Sequence, residues 1–312
     1  MTRRRRPDYA QLETEGINPR AADLERRTVD EIVTLLVREE ALAQKAAYAC
    51  RREIAAAVEL VVAALQAGGR LFYVGAGTSG RLGALDAAEL PPTFGSDPAL
   101  VVALLAGGPR AMLRSVEGAE DRGQHAAARL ARHGLGPHDV VCAIAASGVT
   151  QFARAALEFA RTRQAKTIFV TCVRSPDHAR LADVVIAAVV GPEMLAGSTR
   201  LKSGTATKII LNAISTATMV KLGKVYRGRM VDVLATNQKL KDRARRIVQE
   251  VTNTRPKAAQ SLLRQAGGRP KLAIAIHELG VPASEAAARL AAAGGDLHRL
   301  LDGLPRRRRR RR

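Results

Sequence analysis

Five short apolar runs constrain the fold of this chain more than any other feature. They are "LFYVGA" (71–76), "LVVALL" (100–105), "DVVCAIA" (139–145), "TIFVTCV" (167–173) and "DVVIAAVV" (183–190). Each has the length of a buried strand. Helix-patterned segments such as "PRAMLRSVEGAEDRGQHAAARLARH" and "VTQFARAALEFARTRQ" separate most of them. Strands alternating with helices predict parallel βαβ units and a sheet covered on both sides. Right-handed crossovers put helices on both faces. Ligands of such sheets bind at the carboxyl ends of the strands, where the strand order switches.

The flanks read differently. Residues 1–20 look extended, and from Ala21 to about Ala67 apolar residues recur every three to four positions, as in a helix, until Gly68-Gly69 ends it. After the fifth run, "GSTRLKSGTATKIILNAISTATMVKLGKV" reads as a polar loop feeding a long helix. Beyond Tyr226 the chain is mostly helical and more charged, which sets a soft boundary near residue 225. With 312 residues there is room for one large domain and one small one. Tryptophan is absent and aromatics are 3%, so Ala, Val, Leu and Ile must build the cores.

Charge and cysteines narrow the function classes. Arg3–Arg6 and Arg306–Arg312 supply eleven of the net +21 charges, leaving +10 for the rest. Such runs repel themselves and form tails. They can bind polyanions without sequence preference, but a nucleic-acid reader wants basic residues interleaved with aromatics on a folded face. Nucleic acid is therefore not the expected partner beyond non-specific contact. Cys50, Cys142 and Cys172 lie far apart, an odd count with no CxxC pair, which fits a reducing compartment. The six histidines show no metal-ligand spacing. No secretory h-region and no membrane-length apolar run is visible, so a cytoplasmic protein is expected.

Three loops follow predicted strands. "GAGTSGRLG" contains G-x-G-x-x-G at Gly75, Gly77 and Gly80. A dinucleotide site would also want an acid at the end of the second strand, and that strand ends in Ala106-Gly107-Gly108. Thr78 and Ser79 at a helix start suit a phosphate monoester instead; the alternative is a turn with a Ser/Thr cap. "AASGVT" repeats the pattern with Ser147 and Thr150. "GPEMLAGSTRLKSGTATK" crowds Ser198, Thr199, Arg200, Lys202, Ser203 and Thr205 together, with Arg200 and Lys202 able to neutralise an anion.

Carboxylates complete the candidate chemistry. Glu89 stands in "LDAAELPPTFG", on a helix that Pro91-Pro92 is expected to end. Glu117 and Glu120 of "VEGAED" would share a face if that segment were helical. Two carboxylates beside a sugar phosphate would supply a general base and a general acid.

Together "GAGTSGRLGALDAAELPPTFG", "VEGAED", "AASGVT", "GPEMLAGSTRLKSGTATK" and "MVDVLATNQKL" resemble the N-acetylmuramic acid 6-phosphate etherase family, from about residue 12 to residue 302. The resemblance implies an α/β fold: a SIS-type three-layer sandwich with a five-stranded parallel sheet flanked by helices, plus a small C-terminal helical bundle. It implies lead helices over 1–55, a SIS domain over 56–225, a helical domain over 226–305 and a poly-Arg tail over 306–312. It implies cleavage of the C3 D-lactyl ether of the sugar phosphate by elimination and then hydration, with no metal or other cofactor and a homodimer as partner state. Glu89 matches the family's proton donor and Glu120 its second active-site glutamate, with the division of base and acid left open. Thr78, Ser79, Ser147 and Thr150 match phosphate contacts, and Ser198, Thr199 and Lys202 match substrate-loop positions. Arg27-Thr28 and Val37-Arg38-Glu39-Glu40 depart from the family pattern of Ser-Thr before the lead helix and Asn-x-Glu-Asp at its end. A sugar-phosphate isomerase, or a non-catalytic sensor of the glucokinase-regulator type, stays open as an alternative.

Overall fold

The structure is a computed structural model in which residues 12–174, 176, 178–233 and 238–302 are described. Both arginine runs, and residues 234–237 of "MVDVLATNQKL", lie outside the described residues. The chain divides into two compact units: 1–88 with 98–216, and 89–97 with 217–312.

In the first unit, β1 (Leu71–Gly75), β2 (Val101–Leu105), β3 (Val140–Ile144), β4 (Lys166–Thr171) and β5 (Val184–Ala187) form one sheet in the order β2-β1-β3-β4-β5. Every pairing is parallel, with Gly75 beside both Leu105 and Ile144. The five apolar runs are thus the five strands. Side chains alternate between the faces of a strand. Phe72, Val74 and Val141 point into a core built with α4 (Gly123–Arg132) and α5 (Gln151–Thr162) through Ala126, Leu130, Phe152 and Ala156. The other face carries Tyr73, whose hydroxyl meets Asp86 of α3 (Gly77–Phe94). This face is also covered by α2 (Arg51–Gln66), which buries Ala57, Val58, Val61 and Ala64. Fully burying one of the larger side chains contributes about 1.5–3 kcal/mol. α1 (Val29–Ala49) begins with a capping box in which Thr28 and Glu31 satisfy each other's backbone donors. The described lead residues, α1 among them, fall in the same compact unit as the sheet.

Two local expectations are corrected. α3 does not stop before Pro91; it runs through Pro91 and Pro92 to Phe94. The prolines remove two ladder donors near the end of the helix, yet their fixed φ is helical, and Gly95 N closes the last turn on Pro91 O. The segment after β2 is not a continuous helix. Residues Pro109–Met112 form one 3-10 turn, the chain then runs through turns, and α4 starts only at Gly123. Gly118 takes φ +68, and Leu113 is 93% exposed, so a helix here would have no core to pack against.

In the second unit, a hairpin of β6 (Val225–Tyr226) and β7 (Arg229–Met230) turns on Arg227-Gly228, both at positive φ, as a two-residue hairpin requires. The helices α7 (Gln238–Thr252), α8 (Pro256–Gln265), α9 (Pro270–Leu279), α10 (Ala283–Ala292) and α11 (Leu297–Leu301) follow. α9 is its centre: residues Leu272 to Ile276 are all buried, and Gly280 ends it in the left-handed region. The last part of α6 (Lys202–Lys221) already belongs here, so the second unit's C-terminal stretch starts at Ala217, ahead of the soft boundary near residue 225.

Candidate active site

The strand order switches between β1 and β3, so the crevice for a ligand opens where these two strands end. Two of the three candidate loops leave from that point. After β1 the turn is a single residue, Ala76, and α3 starts at Gly77 with φ +52. Only glycine fits at position 80, because a Cβ there would lie 2.4 Å from both Gly75 O and Leu105 Cδ1. That close approach lays the first turn of α3 over the end of the sheet. Thr78 and Ser79 sit in this turn, half-buried, and neither hydroxyl has a hydrogen-bond partner among the described residues. The N–H groups of a first helical turn have no intrahelical acceptor and favour an anion.

After β3, Gly148 takes φ +77, packed between Val173 and Pro176. Thr150 is the N-cap of α5 with extended backbone, yet its side chain makes no cap bond. Ser147 is half-buried and also uncommitted among the described residues. A Ser/Thr cap therefore does not account for these hydroxyls.

The third loop, after β5, reaches the same place through α6. A Cβ at Gly204 would lie 3.6 Å from Thr78 Cγ2 and from Thr199 O. Ser198 and Thr199 are half-buried, without side-chain partners among the described residues. Glu193 takes the capping role: its carboxylate accepts from Ser203 N at 2.9 Å, Ser203 Oγ at 2.7 Å and Lys202 N at 3.3 Å. Arg200 is exposed, whereas Lys202 is buried with its ammonium on Glu39 Oε2.

Glu120 lies in a turn, not on a helix face shared with Glu117. Its carbonyl accepts from Phe152 N at 2.9 Å, and the neighbouring Ala119 is buried. The turn is thereby fastened to the start of α5, beside Ser147 and Thr150. The Glu120 carboxyl is held above the ordinary value, first by partial desolvation, then by the negative charges of Asp121 and Glu117. The side chain is exposed, so solvent screening limits the effect. Glu117 is also exposed and accepts a bond from Ser115 Oγ at 2.7 Å. Glu89 is exposed on α3, the helix whose first turn carries Thr78 and Ser79.

Sequence reasoning passed over Asp86. Its carboxylate is buried and accepts from Tyr73 at 3.0 Å, Ser215 at 3.0 Å and Asn212 at 3.3 Å. Burial pushes its pKa up, against the bonds from Tyr73 and Ser215 and the charge of Lys208. The spacing Gly83–Asp86–Leu90 puts it on the inward stripe of α3, and that was the available signal.

Comparison with known proteins decides the family. A glucokinase regulatory protein N-terminal SIS domain matches residues 53–161, and a SIS domain matches residues 114–217. An N-acetylmuramic acid 6-phosphate etherase of Mycolicibacterium smegmatis is 49% identical over 93% of this chain and 97% of its own. This chain belongs to the N-acetylmuramic acid 6-phosphate etherase family. A second etherase, from Synechocystis, is 48% identical over 94% of this chain and 96% of its own. The etherase likeness thus takes in the lead segment and the helical unit as well as the SIS sheet, and the five-stranded parallel sheet is the one expected. Among the described residues, no helix of this etherase-family chain is long and apolar enough to cross a membrane.

Proposed function

We propose that this chain cleaves the C3 D-lactyl ether of N-acetylmuramic acid 6-phosphate, consuming water and giving N-acetylglucosamine 6-phosphate and D-lactate. The observation that carries the reading is the set of uncommitted hydroxyls at the switch point, Thr78, Ser79, Ser147 and Thr150, in a chain with near-full-length etherase relatives. Two helix starts there offer free N–H groups and hydroxyl donors to a phosphate monoester. Ser198 and Thr199 line the same place from the third loop.

The chemistry follows from the substrate. An alkyl ether resists direct displacement by water. In the open-chain aldehyde, however, the C2 proton is acidified by the carbonyl. A base takes that proton, its electron pair forms the C2–C3 double bond, and the C3–O bond breaks as lactate oxygen receives a proton. Water then adds across the double bond, its oxygen to C3 and a proton to C2. We assign Glu120 as the base, because its turn is fastened to the start of α5 beside Ser147 and Thr150 and a carboxyl held above its ordinary value is the stronger proton acceptor. Glu89 is the proton donor to departing lactate, assigned by its match to the family motif. Each group contributes about 10²–10⁴-fold in a typical acid–base site.

The test is turnover in deuterated water with wild type, Glu89→Gln and Glu120→Gln. Wild type is expected to release D-lactate and to leave deuterium at C2, with both variants slowed at least about 100-fold. No lactate from wild type refutes the etherase reading and leaves isomerisation to be assayed on the same enzyme. Lactate without deuterium at C2 refutes elimination.

The enzyme works in the cytoplasm on this reading, which its three buried free thiols support. It works as a homodimer paired through α1. Val29, Val33 and Val37 are 77%, 51% and 67% exposed at four-residue spacing, one stripe of the helix. Farther along the same helix, Tyr48, with Ile54, Ile209 and Ala213, lines a cleft of about 500 Å³. A second copy of the stripe is the self-complementary occupant of a two-fold contact. Val33→Glu is expected to give a monomer by light scattering; an unchanged mass refutes the contact.

A further inference from the structure

Lys202 stands in the substrate loop, yet its ammonium faces inward. Lys202 and Glu39 are 2% and 3% exposed, and their ion pair closes at 2.5 Å. A buried lysine is tolerated only when paired and hydrogen-bonded. Glu39 also accepts from Arg20 Nη1 at 2.5 Å and Asn18 Nδ2 at 3.0 Å. Asn18 Nδ2 donates as well to Pro192 O at 3.0 Å, and Asn18 Oδ1 accepts from Arg20 N. Pro192 precedes Glu193, the acid that caps α6 at Lys202 and Ser203. The contacts therefore form a ring from Asn18 to Glu39 to Lys202 to Glu193 and back through Pro192. Two cations and two carboxylates balance within it.

The ring joins four separated pieces of chain: the lead segment, α1, the loop after β5, and the first turn of α6. It ends two residues before Gly204, where a Cβ would lie 3.6 Å from Thr78 Cγ2, and three residues after Thr199. Burial would raise the Glu39 carboxyl, but bonds from Lys202, Arg20 and Asn18 outweigh it and hold the group ionised, below its ordinary value. Nothing in this arrangement leaves the Lys202 charge free for an anion.

We propose that Lys202 and Glu39 are positioning residues: their buried pair sets the first turn of α6 so that Ser198, Thr199 and Thr78 converge on the substrate phosphate, while Lys202 itself does not touch it. This rests on the phosphate-site reading above, and the test separates the two. Glu39→Gln strands the buried ammonium, and Lys202→Met strands part of the carboxylate. Each is expected to raise KM for the sugar phosphate about tenfold or more with a smaller change in kcat, the size typical of a misplaced binding group. The double variant Glu39→Met/Lys202→Met strands no buried charge and returns only the exposed Arg20 to solvent, so its KM is expected to fall back well below that of either single variant. A double variant as defective as Lys202→Met overturns the proposal, because the ammonium would then be the phosphate contact. Arg20→Gln weakens the ring at a side chain that is 65% exposed, where folding is not at stake. It should raise KM several-fold with kcat unchanged; an unchanged KM overturns the proposal. Calorimetric binding of glucosamine 6-phosphate to the same variants reads the cradle without turnover. Its loss and rescue would persist even if the etherase reaction itself failed.

Discussion

Replacing Asp86 by alanine should destabilise the sheet unit by about 2 kcal/mol, and the figure can be assembled donor by donor. Tyr73 is 1% exposed, and Asp86 is the acceptor for its hydroxyl. Stranding a buried donor costs about 1–3 kcal/mol. Ser215 Oγ loses less, since it already lies 3.4 Å from Asn212 O and can turn to it. Asn212 is exposed and finds water. Relief of the carboxylate's own desolvation offsets part of the total. Urea unfolding followed by far-UV circular dichroism would measure the loss. The cycle with Tyr73→Phe should show coupling of about 1–2 kcal/mol, because removing the hydroxyl leaves no donor to strand. Acidification adds a signed check with Asp86→Asn. The folded-state pKa of Asp86 is raised, so the folded state binds the proton more readily than the unfolded one. The wild type therefore gains stability relative to Asp86→Asn as pH falls through the folded pKa, and the gain is complete below the unfolded value near about 3.9. An Asp86→Ala loss under about 0.5 kcal/mol, or a wild-type advantage that shrinks on acidification, would refute the argument.

Gly80→Ala should cost about 1–3 kcal/mol and weaken sugar-phosphate binding together, since its Cβ collides with the Gly75 carbonyl as well as with Leu105; thermal unfolding and calorimetric titration read the two effects. Glu117→Gln removes one of the charges that raise Glu120. The pKa of Glu120 should fall, and the acid limb of kcat/KM should move to lower pH if Glu120 is the base; a shift upward contradicts that role. Thr150→Ala should change stability by less than about 0.5 kcal/mol, because no cap bond is lost, yet should weaken phosphate binding measurably. Thr28→Ala, which breaks a capping box, should cost about 1 kcal/mol and leave binding alone.

The five strands were readable because parallel strands are buried on both faces and so appear as unbroken apolar runs. Phe72 and Tyr73 point to opposite faces, and both are fully covered. The loop chemistry was readable for a related reason: Gly80 is demanded by backbone approach and Gly148 by its positive φ, and glycine leaves a visible mark. What periodicity could not show was whether a partner surface exists. "PRAMLRSVEGAED" has helical spacing, but Leu113 faces solvent and Gly118 needs a positive φ. Pro91-Pro92 looks like a stop in the sequence, though near a helix end proline removes the donor and leaves the φ helical. The ring around Glu39 was beyond sequence reasoning altogether. Asn18, Glu39, Glu193 and Lys202 are each ordinary surface residue types, and their burial depends on contacts made across 163 residues of chain.

A single comparison ties the fold to the chemistry. A helix start with a capable residue at its N-cap normally uses it, and Thr28 of α1 and Asp296 of α11 both do. Thr150 of α5 occupies the same position with the right backbone and does not. At α6 the N-cap position is Leu201, which has no capping group, and Glu193 from the preceding loop takes the role, bringing a carboxylate to the helix start. The difference lies in where these starts point. α3 and α5 follow the two strands that flank the switch point, and the start of α6 comes up to α3 at Thr78. A hydroxyl spent on a cap there would be lost to a ligand. Glu193, spent on the start of α6, leaves the loop hydroxyls free, and Arg20 and Lys202 together balance the charges of Glu39 and Glu193. On the proposed reading, the loop sequences hold these donors in reserve for a phosphate, and the buried ring, drawn from distant segments, keeps them so.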